Sequence, residues 1–315
     1  MPSSAVRAFS DPDDFASAIR GGTAYITVVG RGEFTAKHFR IDLHQLWLQT
    51  LAESVPRILH AANLPGRAMI SFHTSPGQEL VSGGVEMRPT NIIQYSEGQS
   101  YYQRCSGPIR ANAMSLPLEE MAAVSESMAA TDLTPPRDAT LITPPPAAMA
   151  RLRRLHAAAA QLAEDAPEII AHPEAARGLE QALIEALISC LACGERRENS
   201  LAQGHHAIVM RRFHRVVEEN PEQPLFIPEI CKAIRVPGRT LRMCCQEHLG
   251  MSPKRYLLLR RMSLARRALR RAEPDATSVT EVATRYGFWQ LGRFAIEYQS
   301  LFGESPSATL RRHST

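Results

Sequence analysis

The chain has 315 residues, of which 44% are apolar and 22% charged, and a net charge of +4. This is an ordinary globular balance, which excludes a wholly disordered or fibrous chain, and the length suggests two domains at about 150 residues each. No run of about 18 apolar residues is present to cross a bilayer, and residues 1–14 show no basic segment followed by an apolar one, so a cytoplasmic protein without a secretory leader is expected.

Residues 1–130 read as mainly strands. Short runs rich in β-branched and aromatic residues, such as Thr23–Val29, Ala68–His73, Ile92–Tyr95 and Ile109–Ser115, are broken by Gly and Pro turns at Gly21-Gly22, Pro65-Gly66, Pro76-Gly77, Gly83-Gly84 and Gly107-Pro108. Strands spaced about ten residues apart predict a small barrel or sandwich, and a small, cupin-like β-barrel is the expected form. Leu43–Leu51 alternates less cleanly and fits strand or helix. His38, His44, His60 and His73 are scattered and show no His-x-His spacing, so no metal centre is expected. No cofactor is expected either: there is no Gly-x-Ser-x-Gly elbow and no phosphate loop ending in Gly-Lys-Ser/Thr.

Residues 131–204 are expected to connect the two parts. Pro135-Pro136 and Pro144-Pro145-Pro146 mark a Pro-rich connector, not a core element. From Met149 to Ala192 the composition turns to helix formers. Leu179, Leu183, Leu187 and Leu191 line one broad face, which suits packing on the chain's own strands or a helix pair across a dimer interface. Residues 195–204 read as a polar linker. Six cysteines form no metal or disulfide framework; Cys190 and Cys193 make a lone CxxC, for which buried thiols are the simple reading and redox sensing the sharper one.

Residues 205–315 carry the charge. They hold 19 Lys+Arg against 10 Asp+Glu, a net of +9, while residues 1–204 hold 17 against 22, a net of −5. Seventeen of the 19 are Arg, whose fork matches phosphate and guanine edges. The periodicity predicts two helix-turn-helix units in an all-α domain. In the first, Pro228–Ile234 is followed by Arg235-Val236-Pro237 and a helix from Gly238 to Leu249, with Leu241, Cys244, Cys245 and Leu249 inward and Arg239, Arg242, Met243 and Gln246 outward. In the second, Val279, Val282, Ala283 and Tyr286 share a face, Gly287 ends the helix, and Leu291, Phe294, Ala295 and Tyr298 repeat the pattern. A helix from Pro253 to Arg271, about 28 Å long, joins them, and its Arg and Lys side chains suit phosphates.

Residues 210–312 resemble the DNA-binding domain of AraC/XylS-type transcription regulators. The resemblance rests on Tyr286-Gly287-Phe288-Trp289-Gln290-Leu291-Gly292-Arg293-Phe294, on Tyr298-Gln299-Ser300-Leu301-Phe302-Gly303-Glu304-Ser305-Pro306, and on Thr240-Leu241 with Leu249-Gly250-Met251-Ser252-Pro253. It implies an α+β protein that is not an enzyme but a ligand-responsive activator of transcription. It also implies three partners: double-stranded DNA, a small-molecule effector and, for an activator, RNA polymerase. A homodimer is implied as well. Base readers fall, by the resemblance, on Arg239, Thr240, Arg242, Met243 and Gln246, and on Gln290, Leu291, Gly292 and Arg293 with Ile296; phosphate contacts fall on Lys254, Arg255 and Arg285. Leu291 suits a thymine methyl or plain core equally. Arg235 departs from the family by standing where Gly is usual, Cys245 replaces a large aromatic, and Ile296 stands where Arg is common. The resemblance makes residues 1–130 the effector sensor, with Trp47, Phe72, Tyr95, Tyr101 and Tyr102 as candidate pocket walls. The competing readings are a barrel-type enzyme with a DNA-targeting tail and a regulator switched by oxidation of Cys190 and Cys193.

Overall fold

The computed structural model describes residues 1–129, 131–197, 201–221 and 223–311. The chain opens with strand β1 (Ser3–Phe9), helix α1 (Pro12–Ala18) and strands β2 (Gly22–Val28), β3 (Ala36–Asp42), β4 (Trp47–Glu53), β5 (Arg57–Asn63) and β6 (Arg67–His73). Strands β7 (Leu80–Ser82), β8 (Val85–Met87), β9 (Ile92–Gln94), β10 (Ser100–Cys105) and β11 (Ile109–Pro117) follow. Next come helix α2 (Leu118–Ala129), strand β12 (Thr140–Thr143), helices α3 (Pro146–Asp165), α4 (Pro167–Ala171) and α5 (Pro173–Cys193), and strand β13 (Glu195–Arg197). The remainder is helical: α6 (Leu201–Glu219), α7 (Ile227–Ile234), α8 (Gly238–Leu249), α9 (Pro253–Arg271), α10 (Val279–Arg285), α11 (Leu291–Phe302) and α12 (Pro306–Arg311).

The fold is α+β. Its strands do not close into the expected barrel. They form two antiparallel sheets, ordered β1-β3-β4-β11-β6-β9-β12-β13 and β2-β5-β10-β7-β8, and no ladder joins the two among the described residues. Period-two alternation gives the first sheet two apolar faces. Ile41, Leu48, Ile70, Phe72 and Met114 pack on Leu152, Leu183, Leu187 and Leu191 of α3 and α5. Trp47, Met69 and Ile93 face the other way, toward Leu80, Val85 and Tyr95. The leucine face of α5 is therefore spent on the chain's own sheet. Of Leu43–Leu51, ambiguous in the sequence, Leu43–Leu46 forms the turn after β3, closed by the Leu43 amide donating to the Leu46 carbonyl at 3.0 Å, and Trp47–Leu51 enters strand β4.

The Pro-rich stretch is more than a connector. It supplies β12 and buries Leu133, Leu141 and Ile142, while Pro146, in the first turn of α3, starts a helix where its missing N–H costs nothing. The helical run after it is three helices, because Pro167 and Pro173 each interrupt the hydrogen-bond ladder and begin a new one. The expected linker 195–204 lies partly outside the described residues; its described ends belong to β13, which pairs with β12, and to α6.

The two halves share cores. Phe15, Phe34, Leu51 and Leu59 pack in one cluster with Leu259, Met262, Phe294 and Tyr298, and Ile58 and Tyr102 pack with Phe213, Leu241 and Cys244. Helix α1, a helix within the strand-rich part, anchors this junction. Asp11 caps it by accepting from the amides of Asp13 and Asp14 at 2.9 and 3.1 Å, with Pro12 in the first turn.

Candidate nucleic-acid interface

The first helix pair is set by a short turn in an uncommon conformation. Ile230 and Ile234 of α7 pack on Leu241, Cys244, Cys245 and Leu249 of α8. Between them Arg235 takes φ 56° and ψ 48°, the only non-glycine positive φ among the described residues. A β-carbon crowds the backbone in this left-handed region, so the arginine that stands where glycine is usual carries backbone strain. Cys245 is fully buried and fills the place of the large aromatic as a small apolar group. The opposite face of α8 presents Arg239, Arg242, Met243 and Gln246 to solvent, with Thr240 half-buried beside them. No ion pair engages Arg239 or Arg242 among the described residues.

The second pair is built the same way. Ser278 caps α10 through the Glu281 amide at 3.1 Å, and Val282 and Ala283 are buried. Gly287 takes φ 76°, and a β-carbon there would sit 2.8 Å from the Arg261 guanidinium and 2.9 Å from Pro224, so only glycine fits. Phe294, Tyr298 and Leu301 seat α11, and the Tyr298 hydroxyl donates to Thr309 Oγ1 at 2.8 Å. The outward side carries Gln290, Leu291, Gly292, Arg293 and Ile296, preceded by Trp289 in the turn. Leu291 is exposed rather than core. Arg293 donates to Glu297 at 2.8 Å and Arg285 lies 3.6 Å from Glu281, both pairs at the solvent surface.

Helix α9 spans the two pairs, and its basic residues divide into two groups. Lys254 and Arg255 at its start, and Arg271 at its end, are exposed. Five others, expected at phosphates from their place on this helix, are held inward. Arg260 bonds Glu218 at 2.7 Å, and Arg261 lies over the Phe288 ring. Arg266 binds Asp11 and, at 3.1 Å, Glu304; Arg267 binds Asp13; Arg270 binds Asp11 and Asp14. Burial opposes ionisation of Asp11, but Arg266, the Asp14 amide and Arg270 outweigh it and hold the carboxyl below its usual range. The signal for these contacts was the run Asp11-Pro12-Asp13-Asp14, a helix start rich in acid.

A second junction joins β5 and β10 to α6. The His60 and His214 rings stack with centroids 3.3 Å apart, and Tyr102 Oη lies 3.0 Å from His214 Nδ1. Burial lowers the affinity of both imidazoles for a proton; their mutual repulsion adds to this at His60, and nearby Arg260 adds to it at both.

The candidate effector residues separate. Tyr95 and Tyr101 stack at 4.0 Å and line a cavity of about 40 Å³ between the sheets, with Arg20, Gln49, Asn63 and Gln103. Trp47 is not one of its walls; its ring lies behind them, with the guanidinium groups of Arg20, which does line the cavity, and Arg67 over it. Phe72 is on the other face of its sheet, against His156 and the helices, and Tyr102 belongs to the junction with α6. Burial pushes the Cys190 thiol up to about 12, so it supplies little thiolate for redox chemistry. Among the described residues no cluster of three or more His, Cys, Asp and Glu is placed to hold a metal, and no helix is long and apolar enough to cross a membrane.

A family profile described as a helix-turn-helix domain matches residues 230–312. The probable thc operon regulatory protein of Rhodococcus erythropolis is 35% identical over 150 residues, covering 47% of this chain and 45% of that protein. The XylDLEGF operon transcriptional activator 3 of Pseudomonas putida is 39% identical over 103 residues, 32% of this chain and 31% of that one. The chain thus spans less than half the length of these relatives. The crystal structure of a probable AraC family transcriptional regulator from Rhodopseudomonas palustris CGA009 is 30% identical, covering 33% of this chain and 95% of that chain, with a TM-score of 0.30.

Proposed function

We propose, on the premise that this chain belongs to the AraC/XylS-type regulators through its C-terminal domain, that it is a ligand-responsive activator of transcription that reads duplex DNA with two helix-turn-helix units. One observation carries the reading: α8 and α11 each present a solvent-exposed face on a buried support, joined by one 19-residue helix. At 1.5 Å per residue that helix spans about 28 Å, and the turns at its ends bring the separation near the ~34 Å between successive major grooves on one side of DNA.

In this reading Arg239 and Arg242 address guanine edges, with Thr240, Met243 and Gln246 beside them. Gln290, Leu291, Gly292 and Arg293 face the second groove, and Lys254, Arg255 and Arg285 take phosphates. Residues 1–130 form the sensor, 131–204 its helical support and 205–315 the reader. The effector enters the cavity lined by Tyr95 and Tyr101. At about 40 Å³ it holds little more than a water, so the sheets must part to admit a metabolite. A homodimer, and contact with RNA polymerase, complete the activator reading.

The test is selection of binding sites from random duplexes by the full chain, followed by footprinting. The expected result is protection over about two helical turns per subunit. Arg242→Ala should cost about 1–3 kcal/mol on the selected site and relax one base position. Failure to select any site overturns the proposal, and equal loss on selected and random DNA assigns Arg242 to phosphate.

A further inference from the structure

The two outward faces differ in chemistry. On α8, two guanidinium groups and the Gln246 amide project from one exposed surface, and Met243, 49% exposed, is the apolar exception. On α11, Phe294, Tyr298 and Leu301 face the core. At 100° per residue the direction opposite to them is occupied by Gly292 and Ile296, one turn apart. Ile296 is 72% exposed, and nothing lies within 4 Å of where a Gly292 side chain would begin. Trp289, 75% exposed, stands at the entry of the helix. The guanidinium on this helix, Arg293, sits to one side and is engaged by Glu297. The first turns of the α11 face, centred on Gly292 and Ile296, therefore offer no hydrogen-bond donor or acceptor among the described residues; the exposed Gln299 amide follows only a turn farther on.

A polar base edge set against that centre would lose water without regaining a partner, a cost of about 1–3 kcal/mol per group. The major groove offers one apolar group, the thymine 5-methyl. Gly292 permits close approach of the backbone, and Ile296 supplies a branched surface one turn on. Resting on the DNA-binding reading above, we infer that α11 selects its half-site through thymine methyl groups, seated on Gly292 and Ile296, while α8 selects by hydrogen bonds. The site is thus bipartite, with one half donor-read and the other methyl-read. The occupant is duplex DNA rather than a protein, because the reader carries a net +9 and Lys254 and Arg255 are exposed between the two faces.

The experiment uses the full chain and a duplex taken from the selection. The Arg242→Ala variant first marks which half α8 reads. In the other half each thymine is replaced by uracil, which removes only the methyl. The expected result is a loss of about fourfold per seated methyl, the value of one buried carbon group. Ile296→Ala, a substitution at an exposed position, should abolish this thymine-over-uracil preference while the Arg242-dependent half is read as before. Uracil bound as well as thymine, or an unchanged preference in Ile296→Ala, overturns the inference even though the chain still binds its selected site. Absence of any selected site overturns the DNA-binding reading, and this inference with it.

Discussion

Replacing Asp11 tests whether the acidic start of α1 holds the reader to the sensor. Asp11 is 3% exposed, caps α1, and receives Arg266 and Arg270. In Asp11→Ala the lost cap costs about 1 kcal/mol. Removing one partner of a buried ion pair costs about 3–5 kcal/mol when the other charge is stranded. Stranding is partial here, because Arg266 keeps Glu304 at 3.1 Å and Arg270 keeps Asp14. A charge contribution of about 2 kcal/mol is therefore expected, and about 3 kcal/mol in all, against a total stability of about 5–15 kcal/mol. Asp11→Asn retains an oxygen for the cap and should lose only the charge part. Asp14→Ala, which removes a partly exposed carboxylate, should stay within about 1 kcal/mol. Urea unfolding read by the fluorescence of Trp47 and Trp289 gives the differences at constant slope. A loss below about 1 kcal/mol for Asp11→Ala would refute the reasoning, since that is no more than the cap alone.

Arg235→Gly should raise stability by about 1 kcal/mol, as thermal unfolding will show, because the left-handed backbone at Arg235 costs a β-carbon about that much. Burial lowers His156 to about 4, so its stabilising contribution is complete above pH 6.5 and is lost progressively as pH falls toward 4. His60 and His214 shift in the same direction, and unfolding free energy should fall by about 1.4 kcal/mol per pH unit for each such histidine, a slope that His156→Phe should reduce. Lys254→Ala should lower the salt dependence of DNA binding by about one ion, whereas Arg267→Ala, already held by Asp13, should leave it unchanged.

The reader was legible because its rules are local. The i, i+3, i+4, i+7 faces, the glycine ends and the proline start of α9 predict α8 from Gly238 to Leu249 and α9 from Pro253 to Arg271, and the helices begin and end at those residues. The outward placement of Arg239, Arg242, Met243 and Gln246 follows from the same periodicity. What escaped depends on contacts between distant segments. Phe72 and Trp47 look alike as strand aromatics, yet the strand pleat sends one to the helices and the other toward the second sheet. Five basic residues of α9 were equally ambiguous, since only the fold brings Asp11, Asp13, Asp14, Glu218 and Phe288 to them. The proline-rich stretch misled because composition reports breaks in helices, not the sheet edge that β12 finds.

The docking of the halves constrains how an effector can act. No described residue covers the outward face of α8 or of α11, and both helices rest on the N-terminal part by their other surfaces. Tyr102 of β10 reaches His214 of α6, and the turn at Gly84 meets Glu247 and His248 on the back of α8. Helix α9 lies instead against β2 and α1. The two readers are thus supported by different strands of one sheet, ordered β2-β5-β10-β7-β8. The cavity at Tyr101 is walled by residues of β2, β5 and β10, the strands that carry these supports and the one between them. If, as proposed, an effector enters there, it would shift β2 relative to β10, and with them the spacing of α8 and α11 against the fixed repeat of DNA. Masking would require the sensor to move across an exposed face; a change of spacing requires only strain within a sheet already in contact with both. Its strength is bounded by the effector's preference for one arrangement, about 5.5 kcal/mol for a shift from 1:99 to 99:1.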